Sequence, residues 1–308
     1  DELRAAMDQG VGRIIVDSDD ELDRIEALVA DGAPVPAVLL RVNPGIEVHT
    51  HEHVRTGNLD SKFGFPLPTG QAAEAVDRAR TSAAVDLVGL HLHIGSQVFS
   101  VDNFIDGLRA VAPFVVDADL PELVVGGGLG VAYVAGEQAP TLREWGEAVL
   151  ESCRAEGIRS AIAAEPGRSI VAGAAVTLYT VGTIKFIPGV RTYVAVDGGM
   201  SDNPRPVLYG SGYETFLPRA ASSRREMPIR LVGKHCESGD VLVREGRVPA
   251  DLAVGDVIGT PVTGAYGHSM GSNYNKVLRP PVVFVRDGVA RLVVRRETVD
   301  DLLATDVE

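Results

Sequence analysis

Cysteine is almost absent from this chain, with only Cys153 and Cys236 among 308 residues. Two widely separated thiols imply no disulfide framework, and a reducing cytoplasm is the expected compartment. Lysine is nearly as scarce: Lys62, Lys185, Lys234 and Lys276 are all there are, and arginine supplies most of the 29 basic side chains. Positive charge is outweighed by 42 acidic residues, and the formal net charge of −13 disfavours nucleic acid or an anionic membrane as a partner. Small-molecule partners are expected instead. Long apolar runs are missing as well. Stretches such as residues 282–285 fall far short of the roughly 20 needed to cross a bilayer. The opening Asp1-Glu2-Leu3-Arg4 shows neither a Met nor a basic-then-apolar leader, and it reads as an internal start. What is present is a 45% hydrophobic composition, sufficient for one large core or two ordinary ones.

The first half alternates short β-branched runs with amphipathic helical periods, the pattern of parallel βα units. Strands are expected over residues 12–17, 37–42, 85–93, 123–126 and 161–165, each nearly all apolar, as strands buried on both faces must be. Helices are expected over 20–30, 70–81, 102–115 and 141–157. Polar or glycine-rich residues follow every strand, and in a βα barrel those positions line the catalytic mouth. From about Ala174 the texture changes to short strand-like runs at 194–196, 229–232, 241–243 and 282–285, separated by Gly, Pro and Asp turns, with a terminal helix over 297–303. The expected fold is therefore α/β plus all-β: a partial, incomplete (β/α)8 barrel in residues 1–173 and a C-terminal β domain in 174–308. Five strands cannot close a barrel of eight, so either the sheet is open or three strands precede Asp1.

Several motifs carry chemistry. Gly126-Gly127-Gly128-Leu129-Gly130 follows an apolar strand and could bring backbone N–H groups against a phosphate, or could simply make a tight turn. It is not a dinucleotide fingerprint, because Ala132-Tyr133 stands where the third glycine should fall. Glu165-Pro166-Gly167-Arg168 places an acid at a strand end and a guanidinium three residues on. Such an acid can keep a pyridine nitrogen protonated and such an Arg can clamp a phosphate, unless the two form a rim salt bridge. In His93-Ile94-Gly95-Ser96-Gln97, an imidazole could lie on a flat cofactor and a hydroxyl could reach its phosphate; a satisfied core histidine is the plainer alternative. Lys234-His235-Cys236-Glu237-Ser238-Gly239-Asp240 sets a thiol beside a carboxylate in an otherwise apolar neighbourhood, which suggests a reactive cysteine, whereas Cys153 reads as inert and buried. Arg205 with Tyr209, and Tyr266 in Gly264-Ala265-Tyr266-Gly267, offer groups for a substrate carboxylate and a phenol beside glycine. His49, His51 and His53 alternate, but without cysteine or ordered carboxylate spacing they are expected to form a polar loop, not a metal site.

Taken in order, these motifs resemble those of diaminopimelate decarboxylases, pyridoxal-phosphate enzymes of the alanine-racemase-like and ornithine-decarboxylase-like class. The resemblance spans nearly the whole chain and implies pyridoxal 5'-phosphate as cofactor and meso-diaminopimelate as substrate, with L-lysine as product. It implies that Gly126, Gly127, Gly128, Pro166, Gly167, Arg168 and Ser96 hold the cofactor, with His93 on its ring, Glu165 on its pyridine nitrogen and Tyr266 beside it. It places the substrate against Arg168, Arg205, Tyr209, Glu237 and Tyr266, makes Cys236 the proton donor, and implies a homodimer in which Cys236 and Glu237 serve the partner's site. His268 and Gly271-Ser272 depart from the family's usual loop after Tyr266. None of the four lysines lies in the Lys-Ala-Asn context that holds the cofactor covalently in the family, so three strands are expected upstream and this polypeptide alone is expected to be inactive. Rival readings are an ornithine- or arginine-type decarboxylase, whose substrates lack a distal carboxylate for Arg205, and a catalytically silent homologue.

Overall fold

In a computed structural model, residues 1–45 and 59–307 are described. His49, His51 and His53 lie outside them. The chain divides into two compact units, Asp1–Val131 with Gln138–Ser169, and Ala132–Glu137 with Ile170–Glu308.

The first unit is built on a parallel sheet. Its strands are β1 (Ile14–Val16), β2 (Ala37–Asn43), β3 (Phe65–Pro66), β4 (Asp86–His91), β5 (Glu122–Val124) and β6 (Ala161–Ala163), alternating with helices α1 (Glu2–Asp8), α2 (Asp19–Ala30), α3 (Gln71–Thr81), α4 (Val101–Ala118), α5 (Leu142–Ala155) and α6 (Gly167–Val171). The order across the sheet is β1-β2-β4-β5-β6, with β3 pairing the end of β2. It follows the chain without reversal, as successive barrel staves do, whereas a doubly wound sheet reverses at its switch point. The five expected strands are all present; the two-residue β3 escaped notice because so short a run has no period to detect.

Helix boundaries follow local chemistry. Ser18 accepts from Glu21 N–H, and three acidic residues in the first turn of α2 complement its positive end. Thr141 and Glu144 form a reciprocal capping box on α5. The helical spacing of α5 then buries Trp145, Val149 and Cys153 on one stripe, and Trp145 meets Phe104 of α4 edge-on with ring centroids 5.6 Å apart. Burial raises the Cys153 thiol pKa, consistent with an inert core thiol.

Two-faced burial fails at one strand. β2 is largely buried, but Ala161 and Ala163 of β6 are exposed. β6 ends the strand order, so it has a sheet neighbour on one side only and small side chains that reach little.

The second unit is antiparallel in the main. Strands β7 (Val176–Ile187), β8 (Arg191–Val196), β9 (Met227–Val232), β10 (Val241–Val248) and β11 (Val257–Pro261) are ordered β10-β9-β8-β7-β11, and β12 (Val282–Arg286) pairs β13 (Val289–Val294) in a separate hairpin. Within it lie the one-turn helices α7 (Arg205–Tyr209) and α8 (Val299–Leu303). β7, β11 and β13 were not among the expected strands. The Thr- and Gly-containing 12-residue β7 alternates poorly, since its exposed and buried positions are irregularly spaced.

Candidate active site

The mouth of the first unit is made by the segments leaving β4, β5 and β6. Pairing continues past the strand ends: Leu92 N–H donates to the Val124 carbonyl at 2.9 Å, Val125 N–H to Ala163 at 2.9 Å, and Glu165 N–H to Gly126 at 2.7 Å. These bonds gather His93 and Ser96 from one strand end, Gly126 to Gly128 from the next, and the turn of Glu165, Pro166, Gly167 and Arg168 from the third.

The glycine run has a steric cause. A Cβ on Gly127 would lie 2.1 Å from the Glu165 carbonyl oxygen, and one on Gly128 would lie 1.9 Å from that of Gly95. Gly128 also adopts a φ of +97°. The obstruction that glycine removes is thus the protein's own neighbouring backbone. Gly127 N–H is spent inside the fold, donating to His93 Nδ1 at 3.3 Å.

That bond fixes the state of His93. Burial, aided by the nearby Arg41 charge, pushes its pKa down to about 4, so the ring is neutral at physiological pH. Nδ1 accepts from Gly127, which leaves the ring proton on Nε2. The Glu165 carboxylate is half-exposed and its Oε2 lies 3.1 Å from Nε2 of His91. His91 is buried, and its pKa too is lowered by burial, against the opposing pull of Glu165. Arg168 donates to Ser96 Oγ at 3.0 Å. The acid and the guanidinium of the turn therefore have separate partners in this rim.

Sequence reading passed over His91 and the pair of Arg41 with Asp17, in which Nη1 donates to Oδ1 at 3.1 Å. A signal existed for His91. It stands two residues before His93, and alternation along an extended chain puts both on one face.

In the second unit the expected groups sit on loops. Cys236 is exposed. Its loop is held from below: the buried Asp240 accepts from His235 N–H at 2.8 Å and Met200 N–H at 2.7 Å, while His235 Nε2 lies 2.9 Å from Ser201 Oγ. With the backbone drawn inward by Asp240, the side chains of Cys236 and Glu237 face out. Glu237 accepts from the phenol of Tyr274, which follows the Tyr266 loop in Ser272-Asn273-Tyr274-Asn275, and this hydrogen bond raises the Tyr274 pKa. Arg205 is 3% exposed; it donates to Tyr213 Oη at 3.1 Å and Ser211 Oγ at 2.9 Å, and stacks 4.7 Å from the Tyr133 ring and 5.8 Å from that of Tyr209. Tyr266 is exposed at a φ of +59°. Among the described residues no helix is long and apolar enough to cross a membrane, and no cluster of His, Cys, Asp and Glu is placed to hold a metal.

Comparison with known proteins gives a consistent picture. The family described as "Pyridoxal-dependent decarboxylase, pyridoxal binding domain" matches residues 1–172. A diaminopimelate decarboxylase of Actinosynnema pretiosum subsp. auranticum is 47% identical over 315 residues, covering 100% of this chain and 70% of that protein. The diaminopimelate decarboxylase of Bacillus subtilis is 40% identical, covering 100% of this chain and 72% of its own length. Among solved structures, the diaminopimelate decarboxylase of M. jannaschii in co-complex with L-lysine superposes with a TM-score of 0.91 at 32% identity, over 100% of this chain and 72% of that one.

Proposed function

The chain belongs to the pyridoxal-dependent decarboxylases, within the diaminopimelate decarboxylase family, and on that premise we propose that the natural gene product that carries it removes carbon dioxide from meso-2,6-diaminopimelate to leave L-lysine, using pyridoxal 5'-phosphate. The observation that carries the reading is the rim of the first unit, where a neutral His93, a braced Glu165 carboxylate and the Ser96–Arg168 pair lie on adjacent strand ends.

These groups fit the cofactor. A neutral imidazole offers a flat face to an aromatic ring without charge repulsion, Glu165 suits a protonated pyridine nitrogen, and a hydroxyl with a guanidinium suits a phosphate. When bound, the cofactor acts as an electron sink for the pair left as the α-carboxylate departs. The remaining work falls to side chains. Arg205 meets the distal carboxylate of the substrate and Glu237 its distal ammonium, as suits their charges, with Arg168 near the phosphate and the substrate. Tyr209 and Tyr266 complete the substrate contacts. Once carbon dioxide has left, Cys236 delivers the proton from Sγ to the α-carbon, the S–H bond breaking to leave the thiolate as the new C–H bond forms. The thiolate then regains its proton from solvent.

The working unit in this reading is a cytoplasmic homodimer in which Cys236 and Glu237 of the partner subunit complete each site. The exposure of both residues supports that arrangement. The test uses the natural gene product that carries these residues: carbon dioxide release is measured with pyridoxal phosphate against meso-diaminopimelate, ornithine and arginine. Preference for either of the latter overturns the substrate, and cofactor uptake without turnover of any favours the silent homologue.

A further inference from the structure

The buried imidazole of His91 has no part in the chemistry described so far, and its surroundings are unusual for a core position. It is 4% exposed at the last residue of β4, yet its Nδ1 has no hydrogen-bond partner among the described residues. Its Nε2 points instead to a carboxylate that is half-exposed, Oε2 of Glu165 at 3.1 Å. Packing alone does not call for such a residue. A Leu or Phe would fill the same space without an unpaired polar atom.

The register explains how the contact is held. His91 pairs with Arg41 of β2 on one side and with Val124 of β5 on the other, and Val124 pairs with Ala163 of β6, two residues before Glu165. The imidazole therefore rides on the middle of the sheet and reaches the acid from a rigid element, whereas Glu165 follows the edge strand. An ionised carboxylate can only accept, so the contact requires the ring proton on Nε2 and leaves the lone pair on the unpartnered Nδ1. The charged groups facing the ring are Glu165, Arg41 and Asp17, with Arg41 and Asp17 paired to each other.

We propose that His91 is a positioning residue for Glu165: as a neutral imidazole it donates Nε2–H to Oε2, orients the carboxylate at the rim and leaves Oε1 to the pyridine nitrogen of the cofactor. This rests on the pyridoxal-phosphate reading above, and its tests keep the two separable.

The first test needs no cofactor. In the cofactor-free protein, nitrogen NMR of the imidazoles should show His91 as a neutral ring protonated on Nε2, and Glu165→Ala should shift that signal. A proton on Nδ1, or a signal blind to Glu165→Ala, overturns the proposal. The second test compares His91→Phe, which removes the donor, with His91→Gln, whose amide can restore it. His91→Phe should lower kcat roughly 10- to 100-fold, by analogy with lost outer-shell partners of catalytic groups, and should change the pH dependence of the bound cofactor's visible absorption. KM should move less, and His91→Gln should recover most of the loss. Adding Glu165→Ala to His91→Phe should cost little more than Glu165→Ala alone, because the two act as one unit. Equal losses for Phe and Gln with an unchanged absorption profile would mean a purely structural role. Failure of the unmodified protein to take up any pyridoxal phosphate would instead sink the cofactor reading, while leaving the NMR result to decide the His91–Glu165 contact.

Discussion

The two units present their functional groups in opposite ways. At the mouth of the parallel unit, His93, the glycine run and Glu165 are part of the fold itself: their backbones continue the sheet pairing, and the Gly127 N–H is consumed by His93. In the β unit, Cys236 and Glu237 face outward from a loop whose stability resides elsewhere, in Asp240, His235 and Ser201. Chemistry and folding are therefore coupled in the first region and separable in the second.

The sharpest check of that contrast is Cys236→Ala. In its proposed role as proton donor, its loss should cost about 10²- to 10⁴-fold in kcat, with stability changed by less than about 0.5 kcal/mol because the side chain is exposed. Steady-state kinetics alongside urea denaturation read both; a large loss of stability would break the separation. Gly127→Ala should do the reverse and strike both properties together. Its Cβ would sit 2.1 Å from a carbonyl oxygen, and relieving that overlap should cost about 3 kcal/mol of stability with loss of cofactor binding. A variant of native stability would show that the rim has room to yield.

Acid should also act on the first region. His93 falls from 6.5 to about 4 on folding, and His91 is lowered as well. Both rings bind protons more readily in the unfolded chain, so the stability associated with the neutral rings is full above about pH 6.5 and declines as pH falls below it, for His93 down to about 4. For His93 the loss is at most on the order of 3 kcal/mol. Denaturation midpoints measured across that window should fall, and His93→Phe should flatten the slope; an unchanged slope would count against the buried neutral ring.

Smaller effects are expected from the braces of the β unit. Asp240→Ala leaves two backbone donors unpaired and should cost about 2 to 3 kcal/mol, together with turnover, since the Cys236 loop loses its anchor. Asp240→Asn should retain part of both. Arg205→Lys gives up the fork to Tyr213 and Ser211 and the stack on Tyr133, for about 1 kcal/mol. Calorimetry would detect it, and a rise in KM for meso-diaminopimelate would link the stacked guanidinium to substrate.

Legibility followed the same division. Sequence periodicity located the parallel strands and their helices. The β unit was harder to read, because the pairing of β11 with β7 joins segments distant in the chain, the buried positions of β7 are irregularly spaced, and β13 is exposed along its whole length. Cys236 was noticed for its rarity, but its exposure depends on Asp240 drawing the loop backbone inward, which no local pattern reveals.

The sequence by itself determined the alternation of strand and helix, the positions of the turns, and an ordered set of motifs sufficient to name the family, because hydrophobic period, capping and glycine are local properties. Only the tertiary structure decided which polar groups meet. His91 and Glu165 are 74 positions apart and Ser96 and Arg168 are 72 apart. Their pairing is set by the register of neighbouring strands, and burial then sets their charge, since desolvation exists only once the sheet is assembled.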